Sequence, residues 1–275
     1  MKLTILCENT VGRAIPAIGE HGFACFLETD DGNFLIDSGQ GFGIVQNARV
    51  LDKDLSQVDA VVLSHGHYDH AGGLEAVLRI RGQVPVYAHP DIFEPRFSKT
   101  PHSLRFIGIP QRRELLETLG AQFHETPQFQ QIADRVFVTG TIPRTTEFEV
   151  GDGNLVRPDG QGGYVADDFA DDMAVVVDTA KGLVVILGCA HSGIINTLNY
   201  ISDVMQREHF YAVVGGTHLG PVSAEQFEQT VEALRSFEIE KIGVSHCTGQ
   251  ARAAQLRQLF PSQFFYGSVG AVLEV

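Results

Sequence analysis

The run Val61-Val62-Leu63-Ser64-His65-Gly66-His67-Tyr68-Asp69-His70-Ala71-Gly72-Gly73 constrains this chain more than any other stretch. An apolar segment of strand character leads straight into a loop where four metal-competent side chains fall within six residues. Such a loop lies at a strand's carboxyl end, where strand-to-helix turns commonly build sites. His65 and His67, two apart in extended backbone, point to one side and can grip one ion through their imidazole nitrogens. Asp69 and His70 can then serve a second ion nearby. Three histidines and an aspartate are costly to bury beside an apolar strand without partners, which weighs against chance clustering.

Strands are predicted from short apolar runs at Leu3 to Cys7, Phe23 to Thr29, Asn33 to Asp37, Ala60 to Leu63 and Val84 to Ala88. The second half repeats the texture at Arg135 to Thr139, Met173 to Asp178, Leu183 to Leu187, Tyr211 to Val214 and Lys241 to Ser245. Hairpins are expected at Asp30-Asp31-Gly32-Asn33 and at Lys181-Gly182. Helices are expected over Ile44 to Leu51, Leu74 to Ile80, Ile194 to Met205, Ala224 to Phe237 and Ala251 to Phe260. Ser223 and Gln226 offer a capping box to the fourth of these. Two halves of strands, each backed by helices, predict two sheets packed face to face with helices outside. The proline-punctuated stretch 90–172 reads instead as loops and a lid-like insertion within a single domain spanning 1–275.

Composition removes several function classes. The chain is 275 residues long and 44% hydrophobic, enough for one large core. Its formal charge of -14 opposes binding to nucleic acid or to an anionic membrane. No stretch approaches the roughly 18 apolar residues that span a bilayer, and the first residues lack the apolar core of a signal peptide, so a cytoplasmic protein is expected. Cys7, Cys25, Cys189 and Cys247 are scattered without CxxC spacing and read as reduced thiols.

The HxHxDH run, preceded by Phe34-Leu35-Ile36-Asp37-Ser38-Gly39, resembles the metallo-β-lactamase fold superfamily. The resemblance implies an α/β fold of the α+β type, a four-layer αββα sandwich, with a dinuclear metal site at one edge. It assigns His65 and His67 to a first metal and Asp69 and His70 to a second, and gives Asp37 the task of supporting the ligand loop by hydrogen bonds. It also implies a middle histidine, a bridging acid and a last histidine downstream. His191, in Gly188-Cys189-Ala190-His191, and His246, in Ser245-His246-Cys247-Thr248-Gly249, follow apolar runs in the required order.

The middle of this pattern departs from the family. Cys189 stands where the bridging acid is expected, and no histidine lies between His124 and His191. Either His191 completes the first metal's triad, or Cys189 binds as a thiolate while Asp171 or Asp172 substitutes upstream. The first is favoured, because a buried cysteine at a strand end more often packs than ligates. Glu20-His21-Gly22, the tyrosine of the ligand loop, Gly188-Cys189-Ala190-His191, Gly215-Gly216-Thr217-His218-Leu219 and His246-Cys247-Thr248-Gly249 further resemble one branch. That branch is the dihydropteroate-synthase-like one, also called dihydropterin–ribofuranosylaminobenzene phosphate synthase, and it implies condensation of a pterin methyl diphosphate with an aromatic amine.

The expected function is thus a metal-dependent enzyme with two divalent ions, zinc first and iron or manganese next. Its chemistry would be of the hydrolase type on a small anionic ester, phosphate or diphosphate, or the pterin-linked condensation. A metal-containing protein that only binds or senses a metabolite is the competing class. Asp69 and His218 are the catalytic candidates. Glu20, His21, Arg105 and Arg144 are candidate substrate contacts, with Phe93, Phe97, Phe106 or Tyr164 as stacking partners for a ring. His89 is expected in a supporting role.

Overall fold

The computed structural model describes residues 1–275. One seven-stranded sheet runs in the order Val272–Glu274, Lys2–Cys7, Ala24–Thr29, Gly32–Ile36, Ala60–Val62, Val84–Ala88 and Ala121–Glu125. The other, also of seven strands, runs Phe264–Tyr266, Glu238–Ser245, His209–Gly216, Gly182–Leu187, Ala174–Thr179, Val136–Val138 and Gln130–Ala133. Each is built alike: an antiparallel hairpin, Ala24–Thr29 with Gly32–Ile36 or Ala174–Thr179 with Gly182–Leu187, continues into three parallel strands. Parallel neighbours need crossovers, and helices supply them on the outer faces. Ile44–Val50, Leu74–Arg81 and Arg113–Thr118 cover the first sheet; Ile194–Met205, Ala224–Ser236 and Gln250–Leu259 cover the second.

Side-chain alternation fills three apolar layers. Val175, Val177, Val184 and Ile186 meet Leu3, Ile5, Cys25, Leu27 and Ile36 between the sheets, while Ala174, Val176, Val185 and Leu187 turn toward the helices. Every residue of Gly182–Leu187 is buried. A strand covered on both faces reads as an unbroken apolar run, which is why such strands are legible in sequence. The result is the four-layer αββα sandwich. The expected strands and helices are present with ends shifted by a few residues, and the Ser223 hydroxyl accepts the Gln226 N–H at the start of Ala224–Ser236.

The stretch 90–172 is more ordered than the expected loops. Beside the expected strand Val136–Val138, it supplies Gln130–Ala133 to the edge of the second sheet and Ala121–Glu125 to the edge of the first. It also folds a third, four-stranded sheet, ordered Tyr164–Ala166, Leu155–Pro158, Phe97–Thr100 and Ser103–Phe106. These strands are short, and Ser103–Phe106 is exposed throughout, so they carry no apolar run to betray them. No helix is long and apolar enough to cross a membrane.

Candidate metal centre

The parallel strands of both sheets end at the same edge of the sandwich, and their carboxyl-terminal loops deliver the site. From the first sheet come Asp37 after Gly32–Ile36 and the ligand loop after Ala60–Val62. From the second come Cys189 and His191 after Gly182–Leu187, His218 after His209–Gly216, and His246 after Glu238–Ser245. Ligand-bearing loops at the carboxyl ends of parallel strands are the usual place for α/β sites.

Asp37 organises the loop. Its Oδ1 accepts the Ser64 N–H at 2.7 Å, and its Oδ2 accepts the Ser64 hydroxyl at 2.7 Å and faces His70 Nδ1 at 2.7 Å. The next turn is fixed from elsewhere. Gly66 donates its N–H to Asp171 Oδ2 at 2.7 Å, and Asp171 Oδ1 meets Arg96 at 2.7 Å, with Asp167 on the same guanidinium at 3.0 Å. A Cβ at Gly66 would lie 2.1 Å from the Ile92 carbonyl oxygen, so the residue between His65 and His67 has to be glycine. Glu8 accepts the His246 N–H at 2.7 Å and Asn9 Oδ1 faces His246 Nδ1 at 2.9 Å, orienting that ring.

These supports bring the sequence-predicted ligands together. His65 Nε2 lies 3.1 Å from His67 Nδ1. His65, Cys189 and His191 each place one donor atom within 4.8 Å of the others, as do His70, Cys189 and His246, and again His21, Asp69 and His246. The two readings left open by the sequence are therefore compatible. His191 and Cys189 share one cluster, and Cys189, 3.2 Å from His70 Nε2, belongs to both groups in the place expected for the bridging acid. Asp171 and Asp172 belong to none of these donor groups. Asp171 is tied to Arg96 and Gly66, and Asp172 accepts the Ser192 N–H at 2.8 Å.

Charge and burial suit a cation. Burial chiefly carries His65, His67 and His191 below the ordinary histidine range, His67 to about 3, so their nitrogens are neutral donors at pH 7. At His70 burial pulls the same way, but the Asp37 carboxylate overrides it and raises the group to about 9. Asp69 is held well below the carboxylate range, against burial, by hydrogen bonds with His21 and His246. Burial lifts the Cys189 thiol well above its usual value; such a thiol gives up its proton only in exchange for a cation. His67 Nε2 and both ring nitrogens of His191 are buried without hydrogen-bond partners. Unpaired imidazole nitrogens beside a thiol and a carboxylate fit a divalent cation of borderline softness.

A cavity of about 160 Å³ opens over this cluster, lined by His21, His67, Tyr68, Asp69, Arg105, Leu155, His191, His218 and Cys247 among others. A second, of about 250 Å³, adjoins it through His191 and His218 and runs to Gly151, Asp152 and Ser223. Arg105 reaches the rim from the third sheet and lies over the Tyr68 ring, 5.3 Å from its centroid.

Two expected substrate contacts lie elsewhere. Glu20 is buried and spends Oε2 on the Phe42 and Gly43 N–H groups, at the start of helix Ile44–Val50. Arg144 donates to the His191 carbonyl at 2.8 Å, so its charge is turned onto backbone. His21 does line the cavity, but with its Nε2 3.1 Å from Asp69 it joins the ligand-capable groups. The expected stacking aromatics pack on one another, Phe97 with Phe106 and Tyr164, and Phe93 with Phe123. His89 has its Nε2 2.9 Å from the Thr141 hydroxyl.

The ring that does stack in the site is Phe169, which the sequence reading missed. It sits in a turn crowded with aspartates, at φ 51°, and nothing local marks it. Arg96 is equally unmarked, because no spacing in the sequence ties it to Asp167 and Asp171.

Over 100% of this chain and 96% of its own length, the 7,8-dihydropterin-6-methyl-4-(beta-D-ribofuranosyl)-aminobenzene-5'-phosphate synthase of Methanocaldococcus jannaschii is 26% identical. An uncharacterized protein of the same organism is 32% identical over 99% of this chain and all of its own. Among solved structures, Tm1679, described as a metal-dependent hydrolase of the beta-lactamase superfamily, superposes with a TM-score of 0.85 at 28% identity, covering 100% of this chain and 99% of its own. The family model for the metallo-beta-lactamase superfamily matches residues 18–246, a span that opens just before His21 and closes on His246, and to that superfamily the chain belongs.

Proposed function

We propose that this protein is a metal-dependent hydrolase of small anionic esters, phosphates or diphosphates. The observation that carries the reading is the meeting of two donor groups at Cys189, on the floor of a cavity with Arg105 at its rim. His65, His67 and His191 would hold one ion; Asp69, His70 and His246 the other, with Cys189 between them. Zinc suits this mixed donor set first, iron or manganese next. Such ions supply Lewis acidity, polarising a substrate oxygen and acidifying water.

The chain's own residues do the rest. Arg105 pairs with the anionic end of the substrate, as a guanidinium does with phosphate or carboxylate. Asp69, kept ionised by His21 and His246, fixes charge at the reacting end. His218, where the two cavities join, is placed to meet a leaving group or a phosphate oxygen. Phe169 closes the site from below and keeps water off the His191 ring. The net acidic chain leaves nucleic acid and membranes out of the reading.

The test is turnover. Protein loaded with zinc, manganese or iron should hydrolyse members of a panel of phosphodiesters, phosphomonoesters and esters, and His67→Ala should abolish it. Thermal stabilisation by a panel member with no turnover of any would replace the enzyme by a binding module.

A second reading has one specific support, the full-length relative named as a pterin-linked synthase. On it, diphosphate leaves a pterin methyl group as an aromatic amine attacks. Diphosphate release that needs both substrates would favour condensation; release in water alone would favour hydrolysis.

A further inference from the structure

Cys247 belongs to neither group that Cys189 joins with histidines, yet its sulfur lies in the same cluster. It accepts the backbone N–H of His218 at 3.2 Å and lies 3.6 Å from the Cys189 carbonyl oxygen. Cys189 Sγ, a ring nitrogen of His218 and Cys247 Sγ are all within 4.8 Å of one another. Around a tetrahedral zinc, with bonds of about 2.3 Å to sulfur and about 2.0 Å to nitrogen, neighbouring donors stand roughly 3.5–3.8 Å apart. Closing the three onto one cation therefore takes about 1 Å of movement at most.

Room for the second sulfur is built into the backbone. A Cβ on Gly216 would lie 2.7 Å from Cys247 Sγ and 3.2 Å from the Cys189 Cα, so glycine is what lets the two cysteines approach. Both ring nitrogens of His218 are buried with no hydrogen-bond partner; Nε2 stands 3.9 Å from Asp152 Oδ2, an approach that a ring turned toward the sulfurs would give up. The donor chemistry also differs from the neighbouring groups. Two sulfurs and one imidazole form a soft set, whereas His21, Asp69 and His246 offer only nitrogen and oxygen.

We propose that Cys189, His218 and Cys247 form a thiophilic cation position beside the histidine groups, taking Zn²⁺ or Cd²⁺ and passing over Mn²⁺. Soft thiolate donors select such cations, and hard oxygen-preferring ones gain little from them. Binding is an exchange with no oxidant: Cys189 releases one proton to solvent and the Cys247–His218 pair releases the one it shares, so that two thiolates and a neutral imidazole take the cation. With the cation in place His218 is a ligand, and its contact with a leaving group or phosphate oxygen belongs to the state in which this position is empty. The proposal rests on the metal-centre reading only through Cys189, which the two share.

The test compares Cd²⁺ and Mn²⁺ binding to reduced, metal-free full-length protein. Affinities come from calorimetry, and the sulfur-to-cadmium charge-transfer absorption is followed in parallel. Cys247→Ser should weaken Cd²⁺ at least tenfold and lower the absorption, with Mn²⁺ affinity unchanged. His218→Gln keeps both sulfurs and should lose Cd²⁺ affinity likewise, which guards against a folding defect peculiar to one variant. Wild-type Cd²⁺ affinity in both variants, or equal losses of Cd²⁺ and Mn²⁺, would overturn the proposal. His65→Ala separates the two readings. If it leaves Mn²⁺ binding intact the histidine centre fails, whatever Cys247 does.

Discussion

The ring of Phe169 lies flat on that of His191, with centroids 4.1 Å apart and 4° between their planes, and it meets His67 edge-on at 5.7 Å. One apolar side chain thus sets the orientation of two ligand candidates whose free nitrogens have no hydrogen bond to hold them. Partners outside the ligand shell that fix a ring typically govern metal affinity by tenfold or more. Phe169→Leu should therefore weaken Zn²⁺ binding about tenfold, with the circular dichroism spectrum retained. An unchanged affinity in calorimetric titration would remove Phe169 from the site.

His67→Ala should remove metal and activity together while leaving a folded chain, because the loop is held by Asp37 and Asp171 and not by the ligand itself. Cys189→Ser should lower metal content at more than one position, since Cys189 is common to three donor groups, whereas His191→Ala should lower it at one. Metal analysis of the purified variants reads the difference, and the reverse ranking would make Cys189 a packing residue.

Arg96 is 2% exposed and holds Asp167 and Asp171, clamping the third sheet against the ligand loop. Arg96→Met strands two buried carboxylates, and breaking a buried ion pair from one side costs about 3–5 kcal/mol. Thermal unfolding should show a loss of that order, accompanied by weaker metal binding because Gly66 is released. A variant as stable as the wild type would place these charges in contact with water.

Much of the scaffold was legible beforehand, and the physical reason is period and length. Runs such as Leu183 to Leu187 and Ala60 to Leu63 are buried on both faces, so burial alone marks them. The metal loop was legible because its chemistry is local, with four donors in six residues. What stayed hidden depends on partners far apart in the chain. Arg144 and Arg105 are alike in sequence context, yet one is folded onto the His191 carbonyl and the other reaches the rim. Glu20 looks like a site acid beside His21 until its carboxylate is found on the backbone of Phe42 and Gly43.

That contrast between the two arginines gives a prediction. Arg105→Ala should raise the KM for a phosphorylated substrate by about 1.5–3 kcal/mol, the worth of one charged hydrogen bond, and leave a neutral ester unaffected. Arg144→Ala should instead act on charged and neutral substrates alike, by loosening the His191 loop. Equal behaviour of the two variants in steady-state kinetics would contradict the placement.

In the metal-free protein the lowered histidines should make mild acid costly to the fold. His67, at about 3 in the folded chain against an ordinary value of 6.5, contributes stability that is whole above pH 6.5 and drains as pH falls toward 3. His65 and His191 are shifted the same way. His70, raised to about 9, has the opposite sign: its contribution is present below 6.5 and lost as pH rises through 9. Between pH 6 and 4 each lowered histidine costs up to about 1.4 kcal/mol per unit. Burial raises Asp171 to about 7, and that group works the other way over this range, so the test is the difference between chains: with falling pH the urea midpoint of metal-free His67→Gln should drop less than that of the wild type, and parallel slopes would deny that His67 is buried neutral.

Five of the seven non-glycine residues with left-handed backbone ring the metal centre: Asp37, Phe169, Ala190, His218 and His246. Each such conformation sits roughly 1–3 kcal/mol uphill for a residue with a side chain. The edge that carries the chemistry is thus the part of the molecule where thermostability is easiest to gain. Selection for heat resistance alone would find Ala190→Gly, at φ 55°, among its first successes. It would also find there its first inactive winners, because a relaxed turn between Cys189 and His191 no longer dictates where sulfur and imidazole point.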